Sequence, residues 1–324
     1  MIDFRYHLVS LASVLIALAI GIVLGAGPLK EGIGDTLNSQ VVQLRQEKSD
    51  LRTQLDEAQR SLGVRDSFES ATLHDVVAAR LPGSITLVVT FPDAPSALVR
   101  STEDTLAASG ASQTGRVAVT SKWVESAGAV VAERDTLARE LSTGLMLPDG
   151  TQTGGQALDR VLVAILVNHT APAEPTGTPT TAPTPEQRTA IWERLDRAGL
   201  VSGTLPTTLA TSAVVVGGPI VSSPTPNDEA GASRLAALAA ALDAGCDGGV
   251  LAGDLTAPTG AAATSAVAAA RSQSSIRRTL STVDNAGTPI GQASFVIALV
   301  EQLGGGSGQY GLLPDAASAF PRGT

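Results

Sequence analysis

The sequence predicts an α/β protein in which a single N-terminal transmembrane helix and a coiled coil precede a mostly parallel sheet covered by helices. Three observations carry that expectation. Leu8 to Gly27 holds no charged residue, Leu37 to Leu62 keeps an unbroken heptad, and from Ser84 onward short β-branched runs alternate with helical segments. Such alternation is the pattern of a sheet built from βαβ units.

The first element is the apolar stretch at residues 8–27. At a rise of about 1.5 Å per residue, it matches a hydrocarbon core roughly 30 Å thick. Asp3, Arg5 and His7 before it, and Lys30 and Glu31 after it, return the chain to water. A cleaved signal peptide is the alternative, but its apolar part usually runs only about 7 to 15 residues behind a basic start. Here Asp3 offsets Arg5, and Pro28 follows Ala26-Gly27, so a retained single-pass helix is expected. The amino terminus and Arg5 tip residues 1–7 towards the cytoplasm, which leaves the bulk of the chain extracytoplasmic. Ser13, Ala17, Gly21 and Gly25 recur every four residues, a small-residue face with a GxxxG on which two helices can pair. Small residues are also common in any Ala- and Gly-rich membrane helix.

After Gly27, Pro28, Gly32 and Gly34 a joint is expected, with Asp35 capping a new helix over residues 35–62. Leu37, Val41, Leu44, Lys48, Leu51, Leu55, Ala58 and Leu62 follow one another at spacings of 4 and 3. With Leu37, Leu44, Leu51 and Ala58 at d, Lys48 occupies an a position, where a charge fixes register at a cost in stability. Glu47 at g then faces Arg52 at the following e of a second chain, which predicts a parallel homodimer. A helix packed on its own domain would show a broader apolar stripe. Gly63 is expected to end the rod, and a connecting helix over 66–81 opens at Asp66 with Glu69 and closes at Leu81-Pro82-Gly83.

Residues 84–303 form the α/β domain. Strands are expected at Ile85–Phe91, Arg116–Thr120, Val161–Val167, Ala213–Val216, Gly249–Ala252 and about Thr279–Val283. Helices are expected at Ser96–Ala108, Val124–Leu145, Glu186–Ala198, Glu229–Ala244, about Ala261–Arg271 and Ile290–Leu303. Residues 171–185, APAEPTGTPTTAPTP, cannot form a core and read as an extended spacer or surface insertion, with threonine glycosylation as an alternative. Residues 304–324 read as a Gly/Pro-rich tail. One domain interrupted by the Thr/Pro segment is the expectation, and a pair of half-domains is the alternative.

Composition narrows the function classes. A net charge of −9 over 324 residues offers no basic face to phosphates, so nucleic acid is not an expected partner. Cys246 is single, which excludes an intrachain disulfide, and His7, His74 and His169 lie far apart, with Met146 the only internal methionine. No HxxxH, CxxC or Met-rich run exists to gather soft ligands, so no metal ligand is assigned. Gly306 to Gly311 spells GxGxxG but follows a helix instead of a strand, and reads as a loop. No GxSxG, Cys/His pair or paired carboxylates stand at a recognisable spacing, so no enzyme is expected. Asp254 follows one strand and Asp284-Asn285 another, at carboxyl ends where α/β folds bind ligands or partners. Turn chemistry accounts for such residues equally.

Tyr6-His-Leu-Val-Ser-Leu-Ala-Ser-Val-Leu-Ile-Ala-Leu-Ala-Ile-Gly-Ile-Val-Leu-Gly, the coil after it, and Ser281-Thr-Val-Asp-Asn-Ala-Gly-Thr-Pro-Ile-Gly-Gln together resemble the actinobacterial copper transport protein family called MctB. The resemblance covers nearly the full length. It implies an outer membrane location and a part in keeping intracellular copper low; copper is implied by the resemblance alone. The chain is similar, too, to the corynebacterial protein SteB, which implies a SteA-like partner and control of a cell-wall hydrolase in division. The residues themselves argue against a self-contained pore. Membrane barrels need strands of about 9 to 11 residues with alternating faces, and the runs here are short and continuously apolar.

Overall fold

The computed structural model describes residues 4–26, 28–145, 154–169, 182–219, 221–222, 224–254 and 263–322. Two compact units divide the chain, residues 1–65 and 66–324. The first holds α1 (Phe4–Ala26) and the greater part of α2 (Pro28–Val77). α2 differs from expectation at both predicted boundaries: it starts at Pro28, not Asp35, and passes through Gly63. Proline is well suited to a first helical position, where its missing N–H costs nothing. A mid-helix glycine costs only about 1 kcal/mol against alanine, too little to stop a run of Arg, Gln, Glu and Leu. The helix ends at Val77, four residues before the expected stop, and Ala79 there takes a φ of 53°.

The second unit contains, in order, β1 (Ile85–Thr90), α3 (Ser96–Ala108), β2 (Ser112–Val119), α4 (Gly128–Gly144), α5 (Gly154–Leu166), α6 (Pro185–Arg197), β3 (Val201–Gly203) and β4 (Ser212–Val216). Then follow β5 (Val221–Ser222), α7 (Pro226–Ala244), β6 (Gly248–Ala252), β7 (Ala263–Thr264), α8 (Ala266–Ser272), α9 (Ser274–Arg277), β8 (Ser281–Val283), α10 (Pro289–Leu303) and β9 (Gln309–Tyr310). Seven strands make one sheet in the order β3-β2-β1-β4-β6-β8-β9, with only β3 antiparallel, and β5 pairs with β7 apart from it. Strands from before and after the Thr/Pro segment lie in this same sheet.

The apolar strands are continuous because both faces are covered. Leu87, Val89, Val117, Val119, Ala213, Val215 and Leu251 point into one core, with α4, α5, α6, α7 and α8 contributing. Val88, Val214, Val216, Val250, Ala252 and Val283 point into the other, against α3 and α10. Within α5, Leu158, Val161, Leu162 and Ile165 are all within 1% of complete burial. Their 3- and 4-residue spacing is helical, which corrects the strand expected at Val161–Val167; only Val167 makes a strand-like bridge, to Ala210. A short run of Val, Leu and Ile fits a buried strand and a buried helix face alike.

Three smaller differences follow from pairing and capping. β2 starts at Ser112 because Ile85 and Thr86 of β1 pair with Ser112 and Gln113. α4 starts at Gly128, after a short 3-10 turn at Ser121–Trp123. The predicted tail supplies β9, which pairs in parallel with β8. Residues 171–181 of the expected Thr/Pro insertion lie outside the described residues; past them, Thr184 accepts from Gln187 N–H at 3.3 Å and closes a capping box at the start of α6.

Candidate functional site

Ligand crevices of open parallel sheets lie at the carboxyl ends of the strands, where strand order reverses. Here the reversal falls between β1 and β4. Asp254, Asp284 and Asn285 all stand at this carboxyl edge, after β6 and β8. The backbone laces the two strand ends: Gly253 N–H donates to the Val283 carbonyl at 2.7 Å, and Ala286 N–H to the Gly253 carbonyl at 2.8 Å. Gly287 turns against the Asp254 side chain, whose Cγ would lie 2.5 Å from a Cβ at that position. The structure therefore brings the three residues to one edge, with Asp254 the only half-exposed member.

Asp284 is 2% exposed and fully engaged. Its Oδ2 accepts from Arg271 Nη1 at 2.7 Å and from Leu313 N–H at 3.0 Å, and its Oδ1 from Leu312 N–H at 2.7 Å. Arg271 is buried as well, and donates to Thr282 Oγ1 at 2.8 Å, the Tyr310 carbonyl at 2.7 Å and Asp315 Oδ1 at 3.0 Å. This group ties the segment around β9 to β8. Gly311, at a φ of 135°, passes so close that a Cβ would meet Asp284 Oδ1 at 1.9 Å. Asn285 is buried, and its Oδ1 has no hydrogen-bond partner among the described residues. Its carbonyl accepts the Thr288 hydroxyl at 2.8 Å, which fixes the turn into α10.

Sequence reasoning did not single out Arg271 or Asp315. The signal was present: one arginine ends the otherwise apolar Ala266-Val-Ala-Ala-Ala-Arg271, and a guanidinium on a buried helix requires a carboxylate. Asp159 of α5 and Arg234 of α7 form a second such pair, with the Arg234 guanidinium 5.9 Å from the Trp123 ring centre. Burial raises the Asp159 carboxyl, and the Arg234 hydrogen bonds act against that rise.

The metal-capable side chains lie elsewhere. At the amino edge of the sheet His169 Nδ1 sits 3.4 Å from Asp247 Oδ1. Burial pushes the nearby Cys246 thiol up to about 12, far from the thiolate that metals and electrophiles require. Burial also raises Asp243 to about 6, opposed by its bond from Gly249 N–H at 2.7 Å and by His169. His7 and His74 are exposed on α1 and α2, and Met146 is outside the described residues. Among the described residues no three His, Cys, Asp or Glu side chains gather to hold a metal ion.

The first unit exposes a large number of apolar side chains. Phe4–Gly25 is long and apolar enough to cross a membrane, and none of it is buried. The Ser13 hydroxyl donates back to the Val9 carbonyl at 2.8 Å, and nothing lies within 4 Å of a Cβ at Gly21 or Gly25, so the face running through Ala17 is open. On α2, Leu37, Val41, Leu44, Leu51, Leu55 and Leu62 are between 41% and 64% exposed. Lys48 and Ala58 are exposed in the same row, as are Glu47 and Arg52; Glu47 accepts from Gln43 Nε2 at 3.0 Å.

Residues 1–321 match the model of a family described as "Copper transport outer membrane protein, MctB". Proteins named "Copper transporter MctB" from Mycobacterium tuberculosis and Mycobacterium bovis are each 31% identical over 335 aligned residues, covering 96% of both chains. A protein of that name from Mycobacterium leprae is 30% identical over 338 residues, covering 98% of both chains.

Proposed function

Because the chain belongs to the MctB family, we propose that it serves copper transport as a membrane-anchored protein of the cell envelope, with its α/β unit on the extracytoplasmic side. The family match over residues 1–321 carries the copper part of this reading. α1 supports the anchor: from Leu8 to Gly25 it carries no charged residue, and its apolar side chains there have no protein around them, which suits lipid. One span per chain encloses no pore. The strands of the sheet, two to eight residues long, are short of the roughly 9 to 11 that a barrel strand needs. Copper is thus cargo handled together with other copies or other proteins, and the reading is non-enzymatic.

Cell copper after deletion of the gene tests this reading. Deletion is expected to raise copper content, the full chain to restore it, and a chain whose α1 is replaced by a cleaved signal sequence to fail. Unchanged copper after deletion would sink the transport role; restoration by the unanchored chain would sink the anchor.

The exposed heptad row favours a second reading. Two copies pairing in parallel through α2 would cover Leu37 to Leu62, each buried leucine contributing about 1.5 to 3 kcal/mol. Glu47 would meet Arg52 of the partner, and the small-residue face of α1 would continue the pairing in the membrane. In this SteB-like reading the paired coil grips a SteA-like protein and regulates a cell-wall hydrolase.

A further inference from the structure

We propose that the groove between α3 and β2 binds a small phosphate monoester. On this face of the sheet α3 and α10 cover the central strands, while at β2, where Arg116 pairs with Val88, the Arg116 side chain is exposed. The resulting groove, about 580 Å³, opens at the carboxyl ends of β1 and β2. That volume lies within the range of small-molecule sites.

Three features define the ligand. On the floor, Thr90 is 7% exposed, and its hydroxyl makes no hydrogen bond to any described residue. That hydroxyl borders the groove and is free to donate to, or accept from, a ligand held there. On the walls stand two guanidinium groups. Arg100 of α3 is exposed and has no ion pair among the described residues, and Arg116 Nη1 is shared with Glu103, at 3.2 Å and 3.4 Å from its two oxygens. α3 also begins here, after Pro95 and with no side-chain cap, so Ser96 brings unsatisfied N–H groups and the positive end of the helix dipole to the groove.

Two guanidinium groups lining one groove with a helix amino end suit a tetrahedral anion. Asp93, held at a φ of 59°, lines the same groove. Its carboxylate disfavours a bare polyanion and accepts from a hydroxyl on the ligand, which selects a hydroxylated monoester. Thr120 takes no part, because its hydroxyl donates to the Gly199 carbonyl at 2.6 Å.

Calorimetric titration of the full chain in detergent micelles tests this, with glycerol 3-phosphate, inorganic phosphate and acetate as probes. Saturable binding is expected for glycerol 3-phosphate, weaker binding for inorganic phosphate and none for acetate. Arg100→Gln is expected to weaken the ester at least about tenfold and Thr90→Val about threefold or more, with far-ultraviolet circular dichroism unchanged. No saturable heat from either phosphate would overturn the site, as would undiminished binding in both variants. Equal binding of acetate or of inorganic phosphate would overturn the ligand class.

Discussion

Removing the Arg271 guanidinium would leave the buried Asp284 side chain short of its strongest donor. Arg271→Ala is therefore expected to cost about 3 to 5 kcal/mol of unfolding free energy, measured by chemical denaturation. Asp315, 41% exposed, can return to water, so the penalty falls on Asp284. Replacing both members, Arg271→Met with Asp284→Leu, is expected to cost much less than the single change, because no uncompensated charge remains. Asp243 gives a pH signature of the opposite sign to an ordinary ion-paired carboxylate. Its folded value of about 6 lies above that of the unfolded chain, so the folded state holds the proton longer. The contribution of Asp243 to stability is then fully present below about pH 4 and falls by roughly 2 to 3 kcal/mol as pH rises through about 6. His169, Asp247 and Cys246 face the same spot. Asp243→Asn keeps an oxygen for Gly249 N–H and removes the charge; its denaturation midpoint should exceed the parent's at pH 7 and match it below pH 4.

At the scale of elements, α2 carries the clearest expectation. Leu44→Gln with Leu51→Gln should turn a dimer into a monomer when the mass of the detergent-solubilised chain is measured, while Lys48→Leu should tighten the pair. A monomeric parent would remove the paired-coil reading. The elements most legible in the sequence were those whose pattern has one physical solution. Ser212 to Val216 and Gly248 to Ala252 are too short for a buried helix and too apolar for a loop, whereas the uncharged run from Leu8 to Gly25 forms a helix long and apolar enough to cross a membrane. Val161 to Val167 misled because burial, not alternation, made it apolar. β9 was hidden for another reason: its two residues have no pattern of their own, and the contacts around Arg271 hold them in the sheet. The positions of Asp254, Asp284 and Asn285 could be read from the rule about strand ends. The partner of Asp284 could not, because Arg271 and Asp315 are separated from it by 13 and 31 residues of chain.

For the whole molecule, strand order has a consequence in time. The first strand to leave the ribosome, β1, ends inside the seven-stranded sheet, and every later strand of that sheet pairs with one made before it: β2 on β1, β3 on β2, then β4, β6, β8 and β9 outward on the other side. Vectorial synthesis thus never leaves a gap for a later strand to be threaded into, and each new strand meets a ready template edge. The exposed margin moves outward with the growing chain. It is closed last by the segment that Asp284 and Arg271 hold in place, so those two buried charges act as the latch of an assembly built from the inside out.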